Sequence, residues 1–360
     1  MCPTRVVRFS VEPFDISLPR PFGTAQARRT EAHNLLLTLE LAGGATGLAE
    51  VAPAPHVTGE TQDGSRRILE AFAEDLQGAD VARYRAISAA FHRAYPEAHA
   101  ARAGLEALLL DAYCRQLGAP LYQFLGGMAS EVVTDVTIPI VPPAEAANVA
   151  RSALDAGFTE LKVKIGLGGQ DFERVLAVTR AAPGAGIRLD GNQGLRPEEA
   201  VALLDRLLAA GVPVSLFEQP VHRDDLDGMR FVRERVSVPV AADESVLTPA
   251  DAYRVVEAGA ADVVNIKLMK AGVLGALDIA AICRAAGCDL MIGCMLESRL
   301  GISVAAHLAA GVGGFSYIDL DGHILTGDAC MVGGFAQQGG RLVLQPDQPG
   351  HGTALATTRG

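Results

Sequence analysis

Residues 186–220 read GIRLDGNQGLRPEEAVALLDRLLAAGVPVSLFEQP, and they hold one repeating unit of the chain. GIRLD (186–190) is a short β-rich run ending in a carboxylate. PEEAVALLDRLLAAG (197–211) spaces its apolar residues as an amphipathic helix does, and VSLFEQP (214–220) is a second short run with a carboxylate near its end. A strand, a crossover helix and a strand in that order make parallel neighbours. The same texture extends both ways, through VTDVTIPI (133–140) and ELKVKIG (160–166) before it and PVAADES (239–245), ADVVNIK (261–267), DLMIGC (289–294) and FSYIDLD (315–321) after it. Eight such runs, separated by helical stretches such as LGALDIAAICRAAG (274–287), predict a (β/α)₈ barrel.

Upstream the pattern differs. Alternating segments at 5–18, 33–41 and 47–52 predict an antiparallel sheet, and helical patterns follow near 64–77, 81–94 and 99–117. The expected fold class is therefore α/β: a (β/α)₈-type TIM barrel over 126–327 with an N-terminal α+β capping domain over 1–125. The C-terminal segment 328–360, with its GGF and PDQPGHG turns, is expected to pack back on the capping domain and complete it.

The 360 residues suffice for such a barrel plus a second domain, and 49% hydrophobic with 20% charged residues excludes a disordered chain. A net charge of −11 without basic clusters argues against a nucleic-acid partner. The most apolar windows are interrupted by Asp278 and Arg284, or by His307 and glycines, so no clean run of about 20 residues predicts a membrane span. The first 20 residues alternate and contain Asp15, unlike a signal peptide. Six cysteines (2, 114, 283, 288, 294 and 330) include no Cys-x-x-Cys pair and read as reduced thiols, pointing to the cytoplasm. Homo-oligomerisation stays open.

Polar residues recur once per unit near the ends of the runs: Lys164, Asp190, Glu218, Asp243, Lys267, Glu297 and Asp319, at intervals of 22 to 30 residues. In such barrels the chemistry sits at the C-terminal ends of the strands. Lysine usage sharpens this. Of 31 basic residues only four are lysine, and they form two pairs, Lys162 with Lys164 and Lys267 with Lys270. Arginine serves as a plain surface cation, whereas only a lysine amine can be tuned into a base. Strands advance about 45° each around an eight-stranded barrel, so Lys164 on the second strand and Lys267 on the sixth face one another.

Asp190, Glu218 and Asp243 end three successive strands between the lysines. An all-oxygen donor set with no His or Cys suits a hard divalent cation, Mg²⁺ above others. Lys162 and Lys164 share one face of their strand. Their mutual repulsion is expected to lower the amine pKa of Lys164 and make it a base, while Lys162 touches a substrate oxygen. Lys270 is expected on the connecting loop, pointing away from the mouth.

Together KVKIG, RLDGNQG, FEQP, AADES and NIKLMKAG resemble the enolase superfamily, and specifically its muconate-lactonizing-enzyme subgroup, over essentially the whole chain. The resemblance implies that Lys164 and Lys267 act on opposite faces of a substrate α-carbon, with the enediolate stabilised by Mg²⁺ and Lys162. The histidine that the mandelate-racemase branch carries near the seventh strand end is missing from GCMLES (293–298). IDLDG places Asp319 and Asp321 two apart on the eighth strand and resembles the Asp-x-Asp motif with which dipeptide epimerases hold a substrate's free α-ammonium. A second metal site is the alternative for that pair.

The resemblance implies further substrate contacts at Thr137, Asn192, Leu296 and Glu297. Epimerases of the Ala-Glu type carry an Arg in the loop after the first strand; here FGTAQARRTEA puts Gln26 or Ala27 there, with Arg28 and Arg29 adjoining. HVTGET (56–61) is similar to relatives acting on cationic dipeptides, but those tend to have an acid where Leu296 stands, so a neutral or apolar substrate side chain is expected. The expected activity is a Mg²⁺-dependent dipeptide epimerase, an isomerase whose partner is a small molecule. The alternatives are an N-acylamino-acid racemase, an o-succinylbenzoate synthase or muconate cycloisomerase-like enzyme, or a catalytically silent barrel that binds without turnover.

Overall fold

The structure, a computed structural model, describes residues 2–23, 28–327 and 330–356. An antiparallel sheet opens the chain, with β1 (Val6–Gly23), β2 (Arg28–Leu41) and β3 (Thr46–Val51) in that order. Alternation along β2 sends Leu35, Leu37 and Leu39 to one face, where all three are fully buried. The helix His99–Leu117 covers this sheet. It is buried along most of its circumference because its other side packs on the helix Leu268–Ala286 of the barrel.

After β4 (Glu131–Val133) come eight parallel strands: β5 (Val136–Ile138), β6 (Glu160–Lys164), β7 (Gly186–Asp190), β8 (Val214–Glu218), β9 (Val240–Ala242), β10 (Val263–Lys267), β11 (Asp289–Gly293) and β12 (Phe315–Ile318). They pair in sequence order, with a helix in every crossover, as the repeating unit predicts. The seam between β12 and β5 has no continuous ladder. Single contacts bridge it: Asp135 N donates to Ile318 O at 3.1 Å, Leu320 N to Thr134 Oγ1 at 2.7 Å, and Thr137 N to Asp321 Oδ2 at 2.6 Å.

Two-residue periodicity organises the barrel interior. Leu216, Ala241, Val263 and Met291 form a separate buried apolar cluster, with Tyr317 packed against it. The Arg188 guanidinium lies 5.3 Å from the Tyr317 ring centre and donates to Asp135 Oδ2 at 2.8 Å. Two residues further along the chain, at or just past the strand ends, the corresponding positions are Asp190, Glu218, Asp243, Asn265 and Asp319, all buried. The apolar plug thus ends where the chemistry begins.

Two sequence expectations change. The run 133–140 is not one strand. β4 pairs antiparallel with β15 (Arg341–Leu344), and β5 alone enters the barrel. FSYIDLD does not carry both aspartates on the eighth strand either: β12 stops at Ile318, Asp319 follows it, and Asp321 precedes the short helix Gly322–Thr326.

The C-terminal strands β13 (Met331–Gly333), β14 (Phe335–Gln338), β15 and β16 (Thr353–Leu355) make two small sheets, β13 with β16 and β14-β15-β4. Between β15 and β16 the turn docks on the first domain. His351 N donates to Asp111 Oδ1 at 2.9 Å, and Leu121 N donates to Gly350 O at 2.7 Å. Thr353 N donates to His351 Nδ1, so Nε2 carries the proton that it gives to Leu48 O at 2.9 Å. Asp111, wholly buried, also accepts from Leu48 N at 2.9 Å and Arg115 Nε at 2.7 Å.

Asp111→Ala should leave the amides of Leu48 and His351 without acceptors. At about 1–3 kcal/mol for each buried unsatisfied donor, the loss should be on the order of 3 kcal/mol, read as a lower urea midpoint with unchanged slope.

Candidate active site

The strand ends and the capping sheet enclose one pocket. The barrel contributes Thr137, Lys164, Asn192, Glu244, Lys267, Asp319 and Asp321. From the capping side come Phe22, Arg29, Ala32, Asn34, His56 and Val57, and Cys294, Met295 and Leu296 form the wall after β11. Lys164 ends β6 and Lys267 ends β10, four strands apart, so the two amines enter from opposite sides as the spacing predicts. Gly293 makes room for the second: a Cβ there would lie 2.9 Å from Lys267 Cε and 2.8 Å from Asn265 Oδ1.

A dense, buried charge cluster floors the pocket. Lys164 Nζ donates to Asp190 Oδ2 at 2.6 Å, and Lys267 Nζ to Asp243 Oδ2 at 2.7 Å. Lys162 Nζ lies 3.0 Å from Asp190 Oδ2, 2.7 Å from Glu218 Oε2 and 2.6 Å from Asp319 Oδ2. Burial opposes its charge, but these three carboxylates outweigh burial and hold the Lys162 amine well above the ordinary range. Burial opposes the charge on Lys267 too, and Asp243 overrides it, keeping that amine an ammonium.

The carboxylates divide. Burial raises the Asp190 carboxyl, yet Lys162 and Lys164 prevail and bring it to about 2. Asp243 is likewise held well below the usual range against burial, by Lys267 and Lys270. Glu218 goes the other way, pushed up to about 8 by burial and by Asp190. Glu244 rises to about 7 through burial and the neighbouring Asp243. Asp321 reaches about 6, raised by burial and by Asp319.

Three expectations are corrected here. Lys270 does not point away from the mouth; it is 1% exposed, and its Nζ donates to Asp243 Oδ1 at 2.6 Å, Asp243 O at 2.5 Å and Asn265 O at 3.1 Å. The helix after β10 starts immediately, and its first turn folds Lys270 back under the strand end. Lys162, expected to touch a substrate oxygen beside Lys164, has its amine enclosed by Asp190, Glu218 and Asp319 and is not among the residues that line the pocket. Glu297 is not a pocket contact; it lies past β11, and its Oε1 turns back to accept from Met295 N at 2.8 Å.

Asp319 and Asp321 line the pocket even though the strand ends before them. Thr137 meets Asp321 through its backbone amide, and Asn192 Nδ2 donates to Glu244 Oε1 at 3.2 Å. Leu296 belongs to the wall as expected. Arg29 reaches the pocket and donates to His56 Nδ1 at 3.0 Å; burial and the Arg29 charge lower the His56 imidazole to about 4, so it is neutral. Gln26 and Ala27 lie outside the described residues, as does the Arg28 side chain.

Sequence reading passed over Glu244 and Gln219. Glu244 follows Asp243 in AADES, and its Oε2 is buried without a hydrogen-bond partner. Gln219 of FEQP has φ of 33°, in the left-handed region, and its Oε1 accepts from Asp243 N at 2.8 Å and Ser245 N at 3.2 Å. This strained backbone at a strand end turns the side chain toward the next strand, where it orients Asp243.

Among the described residues no three His, Cys, Asp or Glu side chains are gathered around one point as ligands, because Lys162 stands between Asp190 and Glu218. The donor chemistry nevertheless fits a divalent cation. Asp190, Glu218 and Asp243 offer only carboxylate oxygens from adjacent strand ends, and Glu218, raised first by burial and then by Asp190, is a carboxyl that a bound cation would favour in its ionised form.

Residues 145–359 match the enolase C-terminal domain-like family, and residues 8–126 match the mandelate racemase / muconate lactonizing enzyme N-terminal domain. The chain is 43% identical to the aromatic dipeptide epimerase of Herpetosiphon aurantiacus, over 98% of this chain and all of that one. It is 35% identical to the L-Ala-D/L-Glu epimerase of Bacillus subtilis, over 97% of this chain and 96% of that one. Among solved structures, the dipeptide epimerase of Enterococcus faecalis V583 complexed with Mg and the dipeptide L-Leu-L-Tyr superimposes with a TM-score of 0.93, at 34% identity over 97% of this chain and 99% of that one. A barrel with lysines on its second and sixth strands, three carboxylates between them and both family domains along its length belongs to the enolase superfamily, in the dipeptide epimerases of the muconate-lactonizing-enzyme subgroup, and is an isomerase.

Proposed function

We propose that the protein inverts the α-carbon of the C-terminal residue of a dipeptide whose side chain there is apolar, with an aromatic ring favoured. The observation that carries this reading is the single pocket into which Lys164 and Lys267 project from opposite walls while Asp319 and Asp321 line the same space. Two amines across one carbon allow removal of a proton from one face and delivery to the other. Two carboxylates beside them suit a free α-ammonium, through charge-assisted hydrogen bonds. N-acylated amino acids carry no such cation, which favours the dipeptide over the racemase alternative.

Each residue then has a task. Asp190, Glu218 and Asp243 would hold Mg²⁺, which when bound supplies positive charge to the substrate carboxylate as that group gains electron density. Lys267, kept an ammonium by Asp243, is the proton donor when the proton leaves toward Lys164; the roles exchange for the opposite configuration. Both lysines change protonation in one turnover, and the protein as a whole returns to its starting state after exchange with solvent. Phe22, Ala32, Val57, Met295 and Leu296 give the pocket an apolar lining suited to an apolar side chain. The 43% identical aromatic dipeptide epimerase supports the same preference.

Incubation in D₂O with a panel of dipeptides should incorporate deuterium at the C-terminal α-carbon, fastest for Leu-Phe-like members. EDTA treatment should abolish incorporation and Mg²⁺ restore it. Faster turnover of N-acetyl or N-succinyl amino acids than of any dipeptide would overturn the assignment in favour of the racemase.

Lys164→Arg and Lys267→Arg should each stop inversion, because arginine does not cycle a proton. Each variant should still exchange the α-proton of the one configuration that faces its surviving lysine, a split visible by NMR. Normal inversion by either variant would rule out a two-base mechanism.

Asp321 gives a pH signature. Burial and Asp319 raise its carboxyl to about 6, and only the ionised form attracts an ammonium, so kcat/KM should fall as pH drops through that value. Asp321→Asn keeps an oxygen for Thr137 N but loses the charge. It should lower kcat/KM by about 10- to 150-fold, the equivalent of roughly 1.5–3 kcal/mol, and flatten this part of the profile.

A further inference from the structure

Glu50 lies on β3 of the capping sheet, 1% exposed. Burial raises its carboxyl above the ordinary range, and hydrogen bonds from Ser298, Asn34 and Gly301 oppose that rise. Its oxygens are satisfied by donors far away in sequence. Oε1 accepts from Asn34 Nδ2 at 2.6 Å and Ser298 N at 3.0 Å; Oε2 accepts from Ser298 Oγ at 2.6 Å, Ser298 N at 3.0 Å and Gly301 N at 3.1 Å. Ser298 is the N-cap of the helix Arg299–Val312, so a capping-domain carboxylate sits on the first-turn amides of a barrel helix, where the helix dipole favours negative charge.

Asn34 extends this hold. The same Nδ2 that reaches Glu50 also donates to Leu296 O at 2.9 Å. The segment between β11 and the helix is therefore gripped at Leu296 and Ser298, and the first turn of the helix at Gly301, from the capping side. Its other side rests on the turn that follows Asp321. A Cβ on Gly322 would lie 2.9 Å from both Met295 O and Glu297 O, and Thr326 Oγ1 donates to Glu297 O at 3.3 Å. Residues 294–298 form no helix or strand of their own, so these contacts fix where Met295 and Leu296 stand in the pocket wall.

We propose that Glu50 and Asn34 are positioning residues: they set the distance of the Met295–Leu296 wall from the two-lysine site and thereby select the size of the C-terminal side chain. The selection rests on the dipeptide reading above. A side chain that fills the gap to this wall places the α-carbon between the lysines, and a displaced wall misplaces it at a cost that grows with side-chain size.

The test uses Asn34→Ala, which frees Leu296 O but leaves Glu50 on Ser298 and Gly301, and Glu50→Gln, which turns an amide NH₂ toward donors. Hydrogen exchange by mass spectrometry reads the segment without substrate, and steady-state kinetics follow a series of dipeptides with C-terminal Ala, Val, Leu and Phe. Faster exchange confined to 294–301, with the Phe-over-Ala preference in kcat/KM falling roughly tenfold mainly through KM, is the expected result. Unchanged exchange in both variants overturns the positioning role. Faster exchange with equal losses on every dipeptide overturns the selection. Wild-type protein that inverts no dipeptide overturns the function and the selection with it, an outcome distinct from equal losses in an active enzyme.

Discussion

Six carboxyl and four amine groups share the closed mouth of this barrel, every one of them less than a tenth exposed: Asp190, Glu218, Asp243, Glu244, Asp319 and Asp321 against Lys162, Lys164, Lys267 and Lys270. Buried charge is tolerated only when paired and hydrogen-bonded. The lysines hold Asp190 and Asp243 low, while burial first and a neighbouring carboxylate second raise the carboxyls at Glu218, Glu244 and Asp321, which leaves these groups short of positive charge. The deficit is divided in space. One part lies at Glu218, among the three adjacent strand ends, and another at Asp321, across the seam. A site that lacks positive charge in two separate places suits a ligand set that brings positive charge in two pieces, a metal ion and a substrate ammonium.

Such a mouth needs a roof, because hydrogen bonds and ion pairs of this kind gain strength only where water is kept out. The capping sheet provides it, and the Glu50 and Asn34 contacts tie that roof to the barrel through side chains on strands that are otherwise simple sheet. The apolar plug of Leu216, Ala241, Val263 and Met291 closes the opposite end. The reactive layer is therefore bounded above by one domain and below by the core of the other. Roof and wall are held by the same carboxylate, which couples domain packing to pocket shape.

How much of this could be read from sequence follows from the range of each interaction. Strand-length runs at regular intervals exposed the barrel, and the KVK and NIK lysines with the three carboxylates were visible because strand ends fall at predictable places. The sequence failed where a local break redirected a side chain. Lys270 was misread because the helix begins directly after Lys267 and folds its first turn back under Asp243. Glu297 was misread because three residues of irregular chain separate it from the end of β11. Lys162 was read as the cation that lowers Lys164 and touches a substrate oxygen, and its enclosure by Asp190, Glu218 and Asp319 from other parts of the barrel left no local mark. Glu50 and Asn34 left no local signal at all, since Glu50 and Ser298 are 248 residues apart.

The docking of the C-terminal segment has a consequence for biosynthesis. β15 supplies the partner of β4 across about two hundred residues, and His351 seats on Asp111 from 240 positions away. Contacts of such long separation carry a large loop-closure cost and form late. As the chain leaves the ribosome, the capping sheet and the first barrel strands emerge while β4 still lacks its neighbour and the Leu48 carbonyl its imidazole donor. An uncovered strand edge of this kind invites wrong pairing. The strands β13 to β16 thus work as a latch: until β15 and His351 are available, β4 keeps an open edge and Asp111 lacks one of its donors.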